Sequence, residues 1–191
     1  MLSSTALSDG VASQVMQALT AQALGITGTE NQQSQVRVAW QVQGQPFEDV
    51  NTDICYIFMI ERGGEYDRQR NELPGTQTAT QIPLIQTYTR IWECRWMFYG
   101  PNSFDHARLM RSAIFTDYFR WQLRPFSMYP VAPFDNPLRV PEVINGQWFN
   151  RSDMRGLIYE QVTETRTVNL VASVPVVVND ANGTLADIEV T

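Results

Sequence analysis

The residues between Thr87 and Phe115, TYTRIWECRWMFYGPNSFDHARLMRSAIF, concentrate most of the reactive and recognition chemistry of this chain. They hold four arginines, two tryptophans, one of two cysteines and the only histidine. Three kinds of chemistry suit such a set. His106 could serve as a general base, but it would need a partner nucleophile or acid, and no motif supplies one. Arg90, Arg95, Arg108 and Arg111, interleaved with Tyr88, Trp92, Trp96 and Tyr99, could form a platform on which single-stranded nucleic acid stacks. The third reading is a strand, a turn and a helix whose aromatic side chains are core.

Spacing favours the third. From Tyr88 to Phe98 the even positions are Tyr, Arg, Trp, Cys, Trp and Phe, and a period of two predicts a strand with that face buried. Arg90 then shares a face with Trp92 and Trp96, while Arg95 lies on the other. Arg108 and Arg111, about 300° apart along a helix, are neighbours on one side of it. The arginines therefore do not make one surface. Arg90, on an otherwise apolar face, must reach an acid, a carbonyl or a neighbouring subunit. His106 reads as a surface or cap-adjacent residue.

Other chemistry is missing. There is no GxSxG, HExxH, CxxC or GxGxxG, and a single histidine excludes a histidine-cluster metal site. Acid pairs such as Glu48-Asp49 sit in loop-like sequence, where solvated charge is the ordinary case. Cys55 and Cys94 follow no metal-ligand spacing and are expected as buried thiols. The expectation is no catalytic residue, no cofactor and no metal.

All 14 cationic side chains are arginine. That removes lysine Schiff bases, lysine general bases and lysine-terminated phosphate loops, and it favours planar contacts with carboxylates and aromatic faces. A net charge of −6 argues against a protein that coats DNA. Its distribution is uneven. Residues 1–89 carry four arginines against nine acids, residues 90–155 nine against six, and residues 156–191 one against five. A basic middle thus faces acidic ends, its own or a neighbour's. No apolar run is long enough to cross a membrane, and the N-terminus lacks the pattern of a secretory signal.

The elements that position these residues follow from local signals. Ser8 and Asp9 start a helix that Gly25 stops. Residues 26–35 are polar and aperiodic, a loop. VRVAWQV alternates, with Val36, Val38, Trp40 and Val42 on one face, and DICYIFMIE is a second strand. Residues 62–86 are polar with Gly-Gly and Pro-Gly, an extended excursion. After the Tyr88–Phe98 strand, Gly100-Pro101-Asn102 turns the chain into a helix capped by Asn102 or Ser103. Its apolar positions run from Phe104 through Ile114, Tyr118 and Trp121 until Pro125 ends it. Five prolines make residues 125–147 an irregular loop. Asn145-Gly146 is a hairpin turn, Trp148 a core residue, and Arg151 with Asp153 a local ion pair. From residue 148 one or two long strands follow, with a break near 163–166, then a turn at Asn182-Gly183 and a short edge strand. The prediction is a single α+β domain over 1–191. Its antiparallel or mixed sheet carries two main helices on one face, and 62–86 and 125–147 are its arms.

Two ordered sets of residues resemble the bacteriophage neck or tail terminator family. One is FYGPNSFDHA, with Tyr99, Gly100 and Asn102. The other is RVPEVINGQWFNRSDM, with Arg139, Pro141, Glu142, Gly146, Trp148, Arg151 and Asp153. VAWQVQGQPF, containing Trp40, resembles the family's first strand and turn. Together these cover roughly residues 36–165. The resemblance implies a non-enzymatic virion protein, assembled in the host cytoplasm, whose subunits form a ring, commonly of six. The ring sits between head-side connector or adaptor proteins and the tail tube and sheath, and double-stranded DNA passes through its lumen. No membrane is involved. On that reading Arg90, Arg95, Arg108, Arg111, Arg139, Glu142, Arg151 and Asp153 are the candidate interface residues. The alternatives are a head-completion or tail-tube subunit, a single-stranded nucleic-acid binding module and an enzyme of unrecognised type.

Overall fold

A computed structural model describes residues 2–39, 49–170, 174–180 and 183–190. Trp40, Val42 and the GQPF turn lie outside the described residues. In chain order the elements are β1 (Leu2–Ser4), α1 (Asp9–Ala23), α2 (Thr29–Gln35), β2 (Val36–Val38), β3 (Ile54–Arg62), α3 (Glu65–Arg68), β4 (Asn71–Pro74) and β5 (Gln81–Tyr99). Then come α4 (Ser103–Ile114), α5 (Asp117–Leu123), β6 (Met128–Val131), β7 (Leu138–Arg139), β8 (Glu142–Ile144), β9 (Gln147–Phe149), β10 (Arg151–Asn169), β11 (Val174–Asp180) and β12 (Gly183–Val190). The fold is α+β with a mixed sheet: β2 runs parallel to β3, and β3 pairs antiparallel with β5.

The chain divides into two compact units, and β5 and β10 give residues to both. The larger comprises Ala6–Gln69 and Tyr88–Val162. Its strands run β10-β5-β3-β2, with β6 and β7 also paired to β10. The even face expected of β5 is buried, but Ile91 and Glu93 on the opposite face are buried as well. Trp92, Cys94, Trp96 and Phe98 are buried, and the register sets Cys55, Ile57 and Met59 of β3 opposite Phe98, Trp96 and Cys94. Met16 and Leu19 of α1, Met110 and Ile114 of α4, and Phe119 and Leu123 of α5 pack into the same core. Each of these side chains is worth about 1.5–3 kcal/mol of burial. Trp96 also donates its indole N–H to Thr20 Oγ1 at 3.0 Å, tying α1 to β5. Cys55 and Cys94 are free buried thiols, their pKa values pushed up by burial.

The smaller unit comprises Met1–Thr5, Arg70–Thr87 and Thr163–Thr191. Here β1 pairs with β10 and β4 with β5, both antiparallel. Arg166 binds both carboxylate oxygens of Glu72, at 3.2 and 3.1 Å. β11 and β12 pair with each other in a two-stranded sheet of their own.

Several elements differ from the sequence expectation. Residues 29–35 form α2, which has no apolar stripe to announce it. The 62–86 segment is built, carrying α3, β4 and the start of β5. The helix expected from Ser103 to Pro125 is two helices, because Phe115 caps α4 and the Thr116 hydroxyl accepts from Phe119 N–H to start α5. That restart turns the apolar face, so Phe119 and Leu123 are buried while Tyr118 and Trp121 are exposed. The proline-rich loop is also ordered. β6 pairs with β10, and Phe134 is buried where a Cβ at Gly156 would overlap its ring. Finally, β10 runs unbroken through 163–166.

Candidate functional site

The two sequence motifs meet in the larger unit, at the end of β5 and the start of β10. Gly100 ends β5 at φ 103°, and a Cβ there would stand 2.6 Å from the Thr52 carbonyl oxygen, so the turn requires glycine. Asn102 enters α4 not through its own cap bond but by binding Asp53. Its N–H donates to Oδ1 at 2.9 Å, and its amide donates to Oδ2 at 2.8 Å. The second motif folds as the hairpin β8–β9, with Asn145 at φ 51° and Gly146 at φ 78° in its turn. Both central residues having positive φ is the geometry that suits right-twisted strands.

This hairpin brings Glu142 back to Arg151. The Arg151 guanidinium grips Asp153 through Nε–Oδ1 and Nη2–Oδ2 contacts, each 2.7 Å, and donates from Nη1 to Glu142 Oε2 at 2.9 Å. Tyr99 donates its hydroxyl to the same Glu142 oxygen at 2.8 Å. The guanidinium carbon lies 5.6 Å from the centre of the Tyr99 ring, and Tyr56 meets that ring edge-on at 5.8 Å. Two residues apart on one strand, Arg151 and Asp153 necessarily share a face, which is why their pairing was legible.

The electrostatics close this cluster on itself. Burial, then the bond to Glu142, pushes the Tyr99 pKa well above its ordinary value. The Tyr99 hydrogen bond, then Arg151, holds Glu142 below the usual carboxylate range. The Asp153 hydrogen bond raises Arg151 further. Tyr99 stays protonated, Glu142 stays ionised, and each member of the set is engaged by a partner. Such a set fixes strand ends and presents a defined charge. It does not pair a nucleophile with a base. Among the described residues no group of histidine, cysteine or acidic side chains could hold a metal ion, and no helix is long and apolar enough to cross a membrane.

The remaining candidates are dispersed. Arg90 is buried and spent internally. Nε and Nη2 reach Glu160 Oε2 at 3.0 and 2.8 Å, Nη2 reaches the Leu7 carbonyl, and the group lies over Trp92 at 4.4 Å. Trp92 Nε1 and Leu7 N also donate to Glu160, at 2.6 and 2.7 Å. Arg95, on the opposite face, brackets the buried Glu93 together with Arg62, both at 2.5 Å. It also lines a cleft of about 390 Å³ with Arg151, Asp153, Asp135 and Arg155. Arg108 is exposed, and Arg111 is half-buried 5.3 Å from the Phe115 ring. Arg139 is exposed over Phe104 at 4.4 Å, and Pro141 is exposed beside it. His106 is half-buried in the first turn of α4.

Two corrections follow. Trp148 is no core residue but 69% exposed, opposite Val143 on the open side of the hairpin, and Phe149 takes the buried position instead. A short hairpin alternates as any strand does, and one step of parity exchanged the two rings. The aromatic platform loses both its tryptophans, since Trp92 and Trp96 are core and have no face to offer a base, while Tyr88 and Tyr99 are only partly exposed. The sequence reading missed Asp53 and Glu160. Glu160 had a signal, because Ile158, Glu160 and Val162 alternate on one face of β10, placing an acid where Arg90 needed one.

The fold is α+β, and the acidic and basic side chains of the Glu142–Arg151–Asp153 cluster bind one another. The chain belongs to the phage neck terminator protein family, whose model matches residues 9–183. It is accordingly a structural protein of the phage neck, a virion component that meets other head and tail proteins. A comparison with curated proteins found no match.

Proposed function

We propose that the protein closes as a homo-oligomeric ring of six copies that caps the tail tube and joins it to the head-side connector. DNA leaves the head through its lumen. The family match over residues 9–183 carries this reading. The distribution of surface groups supports it. A head-to-tail ring needs two different complementary faces on each subunit. The larger unit exposes apolar side chains on separate elements, Val143 and Trp148 on β8–β9 and Tyr118 and Trp121 on α5. Arg95, Arg108, Arg139 and the Glu142–Arg151–Asp153 cluster are among the charged groups available to a neighbour, whereas Arg90 serves the fold. Net acidity suits a lumen through which phosphates must slide without being held.

The test is the mass of the purified protein by light scattering, alone and with tail tubes, followed by negative-stain imaging. A discrete annulus that stops tube growth is the expected result. Open filaments would make the protein a tube subunit. A monomer that neither assembles nor binds tubes would overturn the ring.

A further inference from the structure

Two adjoining clefts in the larger unit have no role so far. One measures about 390 Å³ and the other about 240 Å³, and Asp135 and Arg155 line both. Their wall is the face of β5 and β10 opposite the core. Residues two apart on a strand share a face, so Glu93, Arg95 and Met97 of β5 stand there with Asp153, Arg155 and Leu157 of β10. Met97 and Leu157 are half-buried, and Leu138, which also lines the larger cleft, is 66% exposed.

The guanidinium groups of these clefts are held but not saturated. Glu93, only 2% exposed, takes Arg62 Nε on one carboxylate oxygen and Arg95 Nε on the other, both at 2.5 Å. Arg155 gives its Nε to Asp135. Among the described residues no further side-chain bond occupies Arg62, Arg95 or Arg155, so the two Nη atoms of each remain as donors. Arg151 differs, spending three nitrogens on Asp153 and Glu142. A guanidinium tethered at Nε is already oriented, and its Nη end is a two-pronged donor that matches a carboxylate. Ordering such a group beforehand lowers the cost of binding.

We infer that the two clefts together receive an extended acidic segment of a partner protein in the neck. Its carboxylates pair with the Nη ends of Arg155 and of Arg95 or Arg62, and its aliphatic side chains lie against Met97, Leu138 and Leu157. Charge complementarity chooses the occupant. Four arginines line the pair of clefts against three acids, and each acid is already bound by an arginine, so the unspent charge is cationic. Nucleic acid fits less well, because Glu93, Asp135 and Asp153 interrupt the continuous cationic track that a phosphate backbone follows. The volumes suit a ligand of a few residues. The inference rests on the chain being a neck protein and is independent of ring closure.

Equilibrium dialysis of the full-length chain against a peptide pool tests it. The probe is a pool of acetylated, amidated pentapeptides that carry two Asp or Glu among Leu and Val. The control pool has Asn or Gln in place of the acids. The acidic pool should bind roughly tenfold tighter or more, as charge-assisted bonds to two guanidinium groups require. Arg155→Gln, which breaks only an exposed ion pair, should weaken that binding roughly tenfold. Adding Arg95→Gln should weaken it further. Thermal midpoints check the fold, and if the doubled variant melts early, Arg155→Gln alone decides. Equal binding of the two pools, or acidic binding unchanged in Arg155→Gln, would overturn the docking site whatever the ring does. An oligonucleotide that binds more tightly than the acidic pool, and is lost with the same arginines, would overturn it too and assign the clefts to nucleic acid. A chain that binds the acidic pool through Arg155 but forms no annulus would keep this site and remove the ring.

Discussion

Two arginine clusters in the larger unit use the same parts in different solvents. Arg90 is held by Glu160 beneath Trp92, and Arg151 is held by Glu142 and Asp153 beside Tyr99. The first is buried, with Glu160 only 1% exposed. The second is half open. Burial changes what the same contacts mean. Inside, an unpaired charge cannot be rehydrated, so every member must remain. At the surface, water replaces a lost partner, and the pair is worth little more than its geometry. The first cluster therefore fastens the segment through Leu7 to the sheet. The second sets strand ends and remains available to a neighbour.

The sharpest way to break the comparison is to remove one carboxylate from each. Glu160→Gln leaves the Arg90 guanidinium only the half-exposed Glu61 at 3.5 Å and the Leu7 carbonyl, and turns a donor toward Trp92 and Leu7. It should cost about 3–5 kcal/mol in denaturant unfolding, enough to unfold a marginal domain. Glu142→Gln should cost about 1 kcal/mol or less. Equal costs would mean that burial does not separate the clusters.

A smaller effect separates the hairpin's two rings. Phe149→Ala should cost about 3 kcal/mol, while Trp148→Ser should stay within about 0.5 kcal/mol in the isolated chain and show its effect only in assembly. A large loss of stability from Trp148→Ser would return that ring to the core.

The smallest effect is the pH dependence of the open cluster. Glu142 has a lowered folded pKa, so its contribution is present above the ordinary carboxylate range and lost as pH falls through the lowered value. Tyr99 has a raised folded pKa, so its contribution is present below the ordinary tyrosine value of about 10 and lost as pH rises beyond it. Tyr99→Phe should abolish the alkaline loss and also shrink the acid one, because the Tyr99 hydrogen bond is the first cause of Glu142's lowered value and only the Arg151 contribution remains, as followed by phenolate absorbance and thermal melts. An alkaline loss unchanged in Tyr99→Phe would place its origin elsewhere.

Much of the fold was legible because its signals are local. Ser8 caps α1, alternation marks β5, Asn145-Gly146 turns β8 into β9, and residues two apart on β10 share a face. Each needs only neighbours within a turn or a strand. The restart at Thr116 was legible too, since a threonine before an aspartate is a helix start, but the continuing aromatic period hid it. α2 gave no such chance, being polar throughout. The family resemblance itself lay in short ordered motifs, and the match across residues 9–183 bears it out.

What the sequence determined by itself, then, was the identity of the faces. An all-arginine cation set, a buried side of β5 and a basic middle between acidic ends follow from composition and period alone. Only the tertiary structure decided which groups meet. Arg90 finds Glu160 seventy residues away, Asn102 finds Asp53 forty-nine residues away, and Trp148 rather than Phe149 turns outward. Period fixes a side chain's direction relative to its own strand. Which strand lies opposite, and which side water reaches, is settled by the packing of elements that sequence distance does not order.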